Sequence, residues 1–231
     1  MQLPTNILDA PIATELLAFF EENPVNKILS FVGFDLWTFD GITDDAASVV
    51  AESGLDPLYL DSLKFLSPEA ARRLARFRGG FLSLCGLVEI SPEVAAAIAE
   101  YQGSVLCLSG LANLSPEVAA ELSAFPGLLT LNGIMAISVA TAAALVPHRG
   151  DLILDGLLHL PEDVAEALSR HDGKSLSLES LRFMSDGAAK ALKKYRGTLE
   201  MVIPAPIHRL EAQLQHSCQR HSVGVRPLGI K

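Results

Sequence analysis

Apolar positions recur along this chain with a period of 23 or 24 residues. A Leu-x-Leu pair begins at Leu58, Leu82, Leu106, Leu129, Leu152 and Leu176, and Leu199-Glu200-Met201 continues the series. The steps are 24, 24, 23, 23, 24 and 23 residues. Three positions after each pair stand Leu63, Leu87, Leu111, Ile134, Leu157 and Leu181, and three further on Leu66, Ile90, Leu114, Ile137, Leu160 and Met184. The second half of each unit is as regular. Alanine recurs at Ala71, Ala95, Ala119, Ala142, Ala165 and Ala189, an aliphatic follows at Leu74, Ile98, Leu122, Leu145, Leu168 and Leu192, and glycine closes the unit at Gly79, Gly103, Gly127, Gly150, Gly173 and Gly197.

The spacing assigns each half. Leu-x-Leu places two side chains on one face of an extended segment, and Ala and Leu at i and i+3 share one helical face. Ser67-Pro68-Glu69, Ser91-Pro92-Glu93 and Ser115-Pro116-Glu117 read as helix starts: serine caps free amides, proline suits the first helical position, and glutamate complements the positive helix end. The recurring glycine is expected where the helix ends in a residue at positive φ. Each unit is thus a strand, a turn, a helix of about two to three turns and a glycine return. One unit cannot cover its own apolar face, so units must stack. Helix-pair repeats need about 33 residues or more, which excludes an all-helical array.

The predicted organisation is a helical cap over 1–27, repeats over 28–203, and a helical cap and tail over 204–231. Leu29-Ser30-Phe31-Val32-Gly33-Phe34 matches Leu82-Ser83-Leu84-Cys85-Gly86-Leu87, and Thr43, Ala47 and Val50 match Ser67, Ala71 and Leu74. About five extra residues enlarge this first unit around Trp37 to Ile42. Before it, Asp9 is expected to cap a helix from Ala10 to Glu22 that offers Ile12, Leu16, Phe19 and Phe20 for burial. A second helix is expected near Ile207 to Gln219, with Leu210 and Leu214 over the last open face.

The pattern resembles the leucine-rich repeat family, in which units of about 20–29 residues pair a strand with a helix or 3₁₀ turn. The resemblance covers roughly residues 28–220 and implies an α/β right-handed solenoid, with a parallel strand face on one side and short helices on the other. It also implies protein binding along the concave strand face. One departure stands out. The slot where the family commonly places Asn or Cys holds Leu63, Leu87, Leu111, Ile134, Leu157 and Leu181, as in divergent bacterial repeats. No asparagine ladder is therefore expected, and the turn must be held by apolar packing.

With the leucines inward, the outward strand residues are Tyr59, Asp61, Ser83, Cys85, Cys107, Ser109, Thr130, Asn132, Ile153, Asp155, Ser177 and Glu179. These form the candidate partner-binding face. Most are small and polar, with no large aromatic row. The alternative is a structural subunit that contacts a larger complex through flanks, caps or the 36–42 insertion.

Composition narrows the function classes. Hydrophobic residues make up 49% and charged residues 19%, enough to build a core and unlike a disordered chain. A net charge of -9 argues against nucleic acid and anionic membranes, which need a positive surface. Three cysteines are too few for a disulfide framework. Met1-Gln2-Leu3-Pro4 does not open a secretory signal, and no apolar run reaches the roughly 20 residues of a membrane helix. A cytoplasmic protein is expected; the oligomeric state is left open.

Candidate chemistry changes little. Arg72, Arg73, Arg76 and Arg78, and Lys190, Lys193, Lys194 and Arg196, read as solvated helix faces. His216-x-Cys218-x-x-His221 has no second ligand pair at zinc-finger spacing. His148 and His171 occupy the slot of Phe77, Tyr101, Phe125 and Tyr195 and are expected to pack as flat rings. Cys85 and Cys107 fall on neighbouring strands at different slots, with no base implied beside them. Asn113-Leu114-Ser115 matches a glycosylation acceptor, but Leu114 is a core position. The glycines close helices rather than opening them, so no phosphate loop forms. No catalytic residue, metal or cofactor is expected.

Overall fold

Every Leu-x-Leu pair from 58 to 199 is placed as the spacing requires. The computed structural model describes residues 6–22 and 39–201. Its elements run β1 (Ile7–Leu8), α1 (Ala10–Glu22), β2 (Gly41–Ile42), α2 (Asp44–Ala51), β3 (Leu58–Tyr59), α3 (Pro68–Leu74), β4 (Phe81–Ser83), α4 (Pro92–Ala99) and β5 (Val105–Cys107). They continue with α5 (Pro116–Leu122), β6 (Leu128–Thr130), α6 (Val139–Leu145), β7 (Leu152–Ile153), β8 (His159–Leu160), α7 (Glu162–Leu168), β9 (Ser175–Ser177), β10 (Phe183–Met184), α8 (Asp186–Leu192) and β11 (Thr198–Glu200).

Seven strands form one parallel sheet in the order β3-β4-β5-β6-β7-β9-β11, so each unit's strand lies beside the next. Equivalent leucines are exact register partners: Leu58 with Leu82, Leu82 with Leu106, Leu106 with Leu129, and on to Leu176 with Leu199. Two short parallel pairs accompany the sheet, β1 with β2 and β8 with β10. Each helix from α2 to α8 packs on the next, and α1 packs on α2. The core lies between, in rows: both leucines of each pair from Leu58 to Leu178, the turn residues Leu63 to Leu181, and the helix alanines and aliphatics. A fully buried leucine contributes about 1.5–3 kcal/mol, and each such row repeats once per unit.

Helix starts follow the predicted chemistry. The side chains of Thr43, Ser67, Ser91, Ser115, Ser138 and Ser185 each accept the amide three residues on. Pro161 holds that slot before α7 and has no side chain to cap with. Asp9 accepts from the Ile12 amide at 3.0 Å, which starts α1 at Ala10 as expected. Ile12, however, is 39% exposed, and Ala13 is buried in its place. The reason is register: Leu8, Asp9 and Ala13 stand in the slots of Leu66, Ser67 and Ala71, so α1 docks through its alanine like every other helix. Gly41 and Ile42 of the insertion form β2, and the Asp40 carbonyl accepts the Lys64 and Phe65 amides at 2.8 and 3.1 Å. The end of the insertion is therefore built into the repeat. Phe19, Phe20, Leu29, Trp37 and the 204–231 cap lie outside the residues whose side chains are described.

The closing glycines are not helix-ending residues at positive φ. Gly54 alone among the described residues has a positive φ. The helices end several residues earlier, at αR caps such as Ala75, Ser123 and Lys193. Close approach explains the glycines instead. A Cβ on Gly127 would stand 2.5 Å from the Ser104 carbonyl oxygen and 2.7 Å from the Phe125 ring, and one on Gly150 would collide with the Gly127 carbonyl. Neighbouring units meet backbone to backbone there, with a ring laid over the contact.

Those rings stack as two columns. Phe77, Tyr101 and Phe125 stand 6.1 and 5.9 Å apart, at 15° and 2°. His148, His171 and Tyr195 stand 5.7 and 6.0 Å apart, at 16° and 22°. Tyr101 and Tyr195 donate their hydroxyls to the Gly79 and Gly173 carbonyls at 2.8 and 2.9 Å. The histidines are packed rings, as the slot predicts, but they satisfy fewer polar atoms. His148 Nε2 lies 3.3 Å from the Asp151 carbonyl, while His148 Nδ1 and both His171 nitrogens have no partner.

Burial holds both histidines below the ordinary value of 6.5, and His171 is lowered further by His148. Against this, the Asp151 carbonyl favours the charged form of His148, and Asp172 favours that of His171. The folded state thus binds protons more weakly than the unfolded chain. Stability is full above 6.5 and falls as pH drops from 6.5 toward the lower folded values. We expect the urea midpoint to decline as the pH falls below that value. A His148→Phe, His171→Phe double variant should lose the decline and gain stability, because it removes buried polar atoms left unpaired. An unchanged slope in the double variant would assign the pH dependence elsewhere.

Candidate functional site: the outward strand face

The alternation that buries the leucines turns the residues beside them outward, and the register assembles these into rows. Tyr59, Ser83, Cys107, Thr130, Ile153 and Ser177 are successive partners along one row. Ser83 and Ser177 in that row are buried, and Tyr59, Cys107, Thr130 and Ile153 are half-buried. The row is less available than its small polar composition implies.

Asp61, Cys85, Ser109, Asn132, Asp155 and Glu179 form a second row, just past the strands, and most of them serve the backbone. Asp61 accepts the Cys85 amide at 2.9 Å, and the Ser109 backbone hydrogen-bonds Cys85. Ser109 accepts the Asn132 amide at 3.4 Å, Asn132 accepts the Asp155 amide at 3.1 Å, and Asp155 accepts the Glu179 amide at 2.9 Å. Asp155 also accepts the Ser177 hydroxyl at 2.7 Å. Asp61, Ser109, Asn132 and Asp155 thus each satisfy the amide one unit ahead. The expectation that apolar packing alone holds the turn is corrected: a polar ladder exists, displaced from the usual asparagine slot onto the outward strand position. A side-chain acceptor is needed wherever a strand ends and the next amide would otherwise lack a partner, and Asp, Ser and Asn all supply one.

A third row was not recognised in the sequence. Phe81, Val105 and Leu128, each immediately before its Leu-x-Leu pair, are register partners at the start of the strands and are half-buried. Phe81 packs on Tyr59, with ring centroids 5.3 Å apart. Asp56 fixes this edge by accepting the Gly80 and Phe81 amides at 2.9 and 3.3 Å. The expected absence of a large aromatic row stands, but this row adds apolar contact material to the first half of the face. The signal was available: residues 81, 83 and 85 share one direction along the strand. The second half differs in chemistry. Asp151 and Ser175 precede their pairs there, and Ser175 donates to Asp151 at 2.8 Å. Asp155, Glu179 and Glu200 add further carboxylates.

Cys85 and Cys107 sit between the halves. Cys107 is the register partner of Ser83, so the cysteines are not directly opposite, as expected. The diagonal nevertheless brings Sγ to Sγ at 2.8 Å, and both are free thiols, half-buried. Ser83 Oγ lies 3.3 Å from Cys85 Sγ and donates to Asp61 at 2.5 Å, and Ser109 Oγ lies 3.4 Å from Cys107 Sγ. The shared hydrogen bond from Cys85 pulls Cys107 down to about 6, helped by Ser109 and Ser83 against the effect of burial. That same contact, with burial, pushes Cys85 up.

The basic clusters lie away from this face. Arg72 and Arg73 pair with Glu69 at 2.6 and 3.0 Å, and Arg73 also reaches Asp45 at 2.8 Å. Arg76 and Arg78 line a groove with Glu52 and Asp56. Among the described residues no helix is long and apolar enough to cross a membrane, and no three His, Cys, Asp or Glu side chains are placed to hold a metal. His216, Cys218 and His221 lie outside the described residues. No protein-family model and no curated protein sequence matches the chain.

Proposed function

We propose that this chain is a leucine-rich-repeat-like right-handed solenoid that acts without catalysis as a cytoplasmic protein-interaction module, taking a protein partner on its concave strand face. Curvature follows from packing distances. Parallel strands lie about 4.8 Å apart, while packed helices need about 8–10 Å, so the strand side is the inner side. The right-handed sense is the one nearly all parallel strand-helix-strand connections adopt. The observation that carries the binding reading is the half-exposed row of Phe81, Val105 and Leu128 beside Tyr59, continued by the carboxylates of Asp151, Asp155, Glu179 and Glu200. Such a face suits a partner with an apolar anchor next to basic side chains.

A second reading, a structural subunit that joins a complex through its flank, rests on Val88 and Met135, which are 57% and 63% exposed. They occupy one slot along the turn edge, where the Ala112 amide donates to Val88 and the Leu158 amide to Met135.

Affinity capture from the host, read by mass spectrometry, separates the two. Val105→Arg is expected to weaken recovery of the partner by about tenfold or more, as loss of a central contact does, and Met135→Arg to leave it unchanged. The reverse result establishes the flank. Loss with neither variant removes both.

A further inference from the structure

We propose that Cys85 and Cys107 form a reversible, peroxide-sensitive dithiol on the strand face, in which Cys107 is the attacking sulfur and Cys85 the resolving one. The proposal stands on the geometry of the pair and does not depend on the identity of a protein partner.

Three observations place the sulfurs for this role. The Sγ–Sγ separation is 2.8 Å, inside van der Waals contact and less than 1 Å beyond a disulfide bond of about 2.05 Å. Both thiols are free and only half-buried, so a small oxidant reaches them from the outward face. The surroundings favour charge on one sulfur. Ser109 Oγ stands 3.4 Å from Cys107 Sγ, and the contact with Cys85, with help from Ser109 and Ser83, holds Cys107 below the ordinary thiol range. A thiolate is the reactive form of cysteine, and a thiol held against it is the usual resolving partner in redox-sensing sites.

The oxidant is a hydroperoxide. The Cys107 sulfur attacks the terminal oxygen; an S–O bond forms, the O–O bond breaks, and the alcohol (water, for hydrogen peroxide) leaves with the thiol proton. Cys107 is then a sulfenic acid. The Cys85 sulfur attacks the Cys107 sulfur; the S–S bond forms, the S–O bond breaks, and water leaves with the Cys85 proton. The peroxide takes two electrons, and the pair gives up two hydrogens. A dithiol reductant reverses the change by thiol–disulfide exchange.

Where the oxidised pair lies matters to the fold. Cys85 is a rung of the polar ladder between Asp61 and Ser109, and Cys107 is flanked in its row by Ser83 and Thr130. Closing the bond ties β4 to β5 across a diagonal and withdraws the Cys85 sulfur from the ladder. The middle of the strand face changes shape while the leucine rows beneath it keep their register.

The full chain carrying Cys218→Ser provides the test, since it leaves only this pair. Treated with hydrogen peroxide, it is expected to lose two hydrogens in intact mass, to lose both alkylatable thiols, and to regain them with dithiothreitol. Cys85→Ser should stop at a sulfenic acid on Cys107, trapped by dimedone. Serine already holds the equivalent ladder slot at Ser109, so this variant keeps the fold. Cys107→Ser should react about tenfold or more slowly, because Cys85 lacks a lowered pKa. The proposal is overturned if the two single variants oxidise at equal rates, if the peroxide-treated chain keeps both thiols, or if the bond that forms joins two molecules instead of one.

Discussion

Phe125→Ala is expected to lower the unfolding free energy by about 3–5 kcal/mol, the range for deleting a fully buried ring. Phe125 has no exposed surface and stacks on Tyr101 at 5.9 Å with the rings nearly parallel. It also covers the point where Gly127 meets the Ser104 carbonyl. Truncation therefore opens a cavity at a junction between units rather than inside one. In a stack whose stability comes from neighbour contacts, a lost contact weakens both sides. The urea transition should shift to lower midpoint and also broaden, because the two halves then unfold less cooperatively. Glu121→Ala, on the exposed side of α5, serves as control and should stay within about 0.5 kcal/mol. A Phe125→Ala shift no larger than the control's would mean that the ring column contributes nothing to holding the units together.

Gly110→Ala should be the next most damaging single change, at about 1–3 kcal/mol or more, as for overpacking against atoms that cannot rotate away. The added methyl would collide with the Cys85 carbonyl oxygen and stand 2.8 Å from the Leu87 carbonyl oxygen. Both are backbone atoms of the preceding unit, so relief requires the units to separate. Gly86, Gly133 and Gly156 hold the same slot and meet the same pair of carbonyls one unit back. Gly80→Ala makes the contrast. Its methyl would find nothing nearer than 3.7 Å, and its φ is not positive. It should be neutral or stabilise by about 0.4–1 kcal/mol through the unfolded chain. Equal losses at Gly80 and Gly110 would mean that glycine acts here through backbone freedom, not through close approach. Thermal or urea unfolding of the two variants decides it.

The two kinds of glycine show where reading the chain alone ran short. The row at Gly79, Gly103 and Gly127 was evident from spacing, but its cause was assigned to helix termination, a local effect. Its cause is close approach: the carbonyl of the previous unit at Gly103 and Gly127, and the Phe77 ring and Asp56 side chain at Gly79. The row at Gly86, Gly110, Gly133 and Gly156 gives way to Ser62 and Ser180 at its two ends, so it spans only the middle units. The ladder was missed for another reason. Its rungs are Asp, Cys, Ser, Asn and Asp, alike in offering an acceptor and unlike as letters. The apolar row Phe81, Val105 and Leu128 was overlooked because its slot turns acidic at Asp151, so it never looked like a repeat.

The sequence by itself determined the unit: which residues form each strand, which face of each helix is apolar, where helices start, and that units must lie side by side. These are properties of neighbours along the chain, set by alternation, by the helical period and by capping. Only the tertiary structure decided how closely two units approach. That distance makes a glycine indispensable, lets one unit's carboxylate reach the next unit's amide, leaves His171 without a polar partner, and brings Cys85 to Cys107 across a diagonal. Each depends on a few tenths of an ångström between residues about 22 to 24 apart in the chain, a scale on which periodicity is silent.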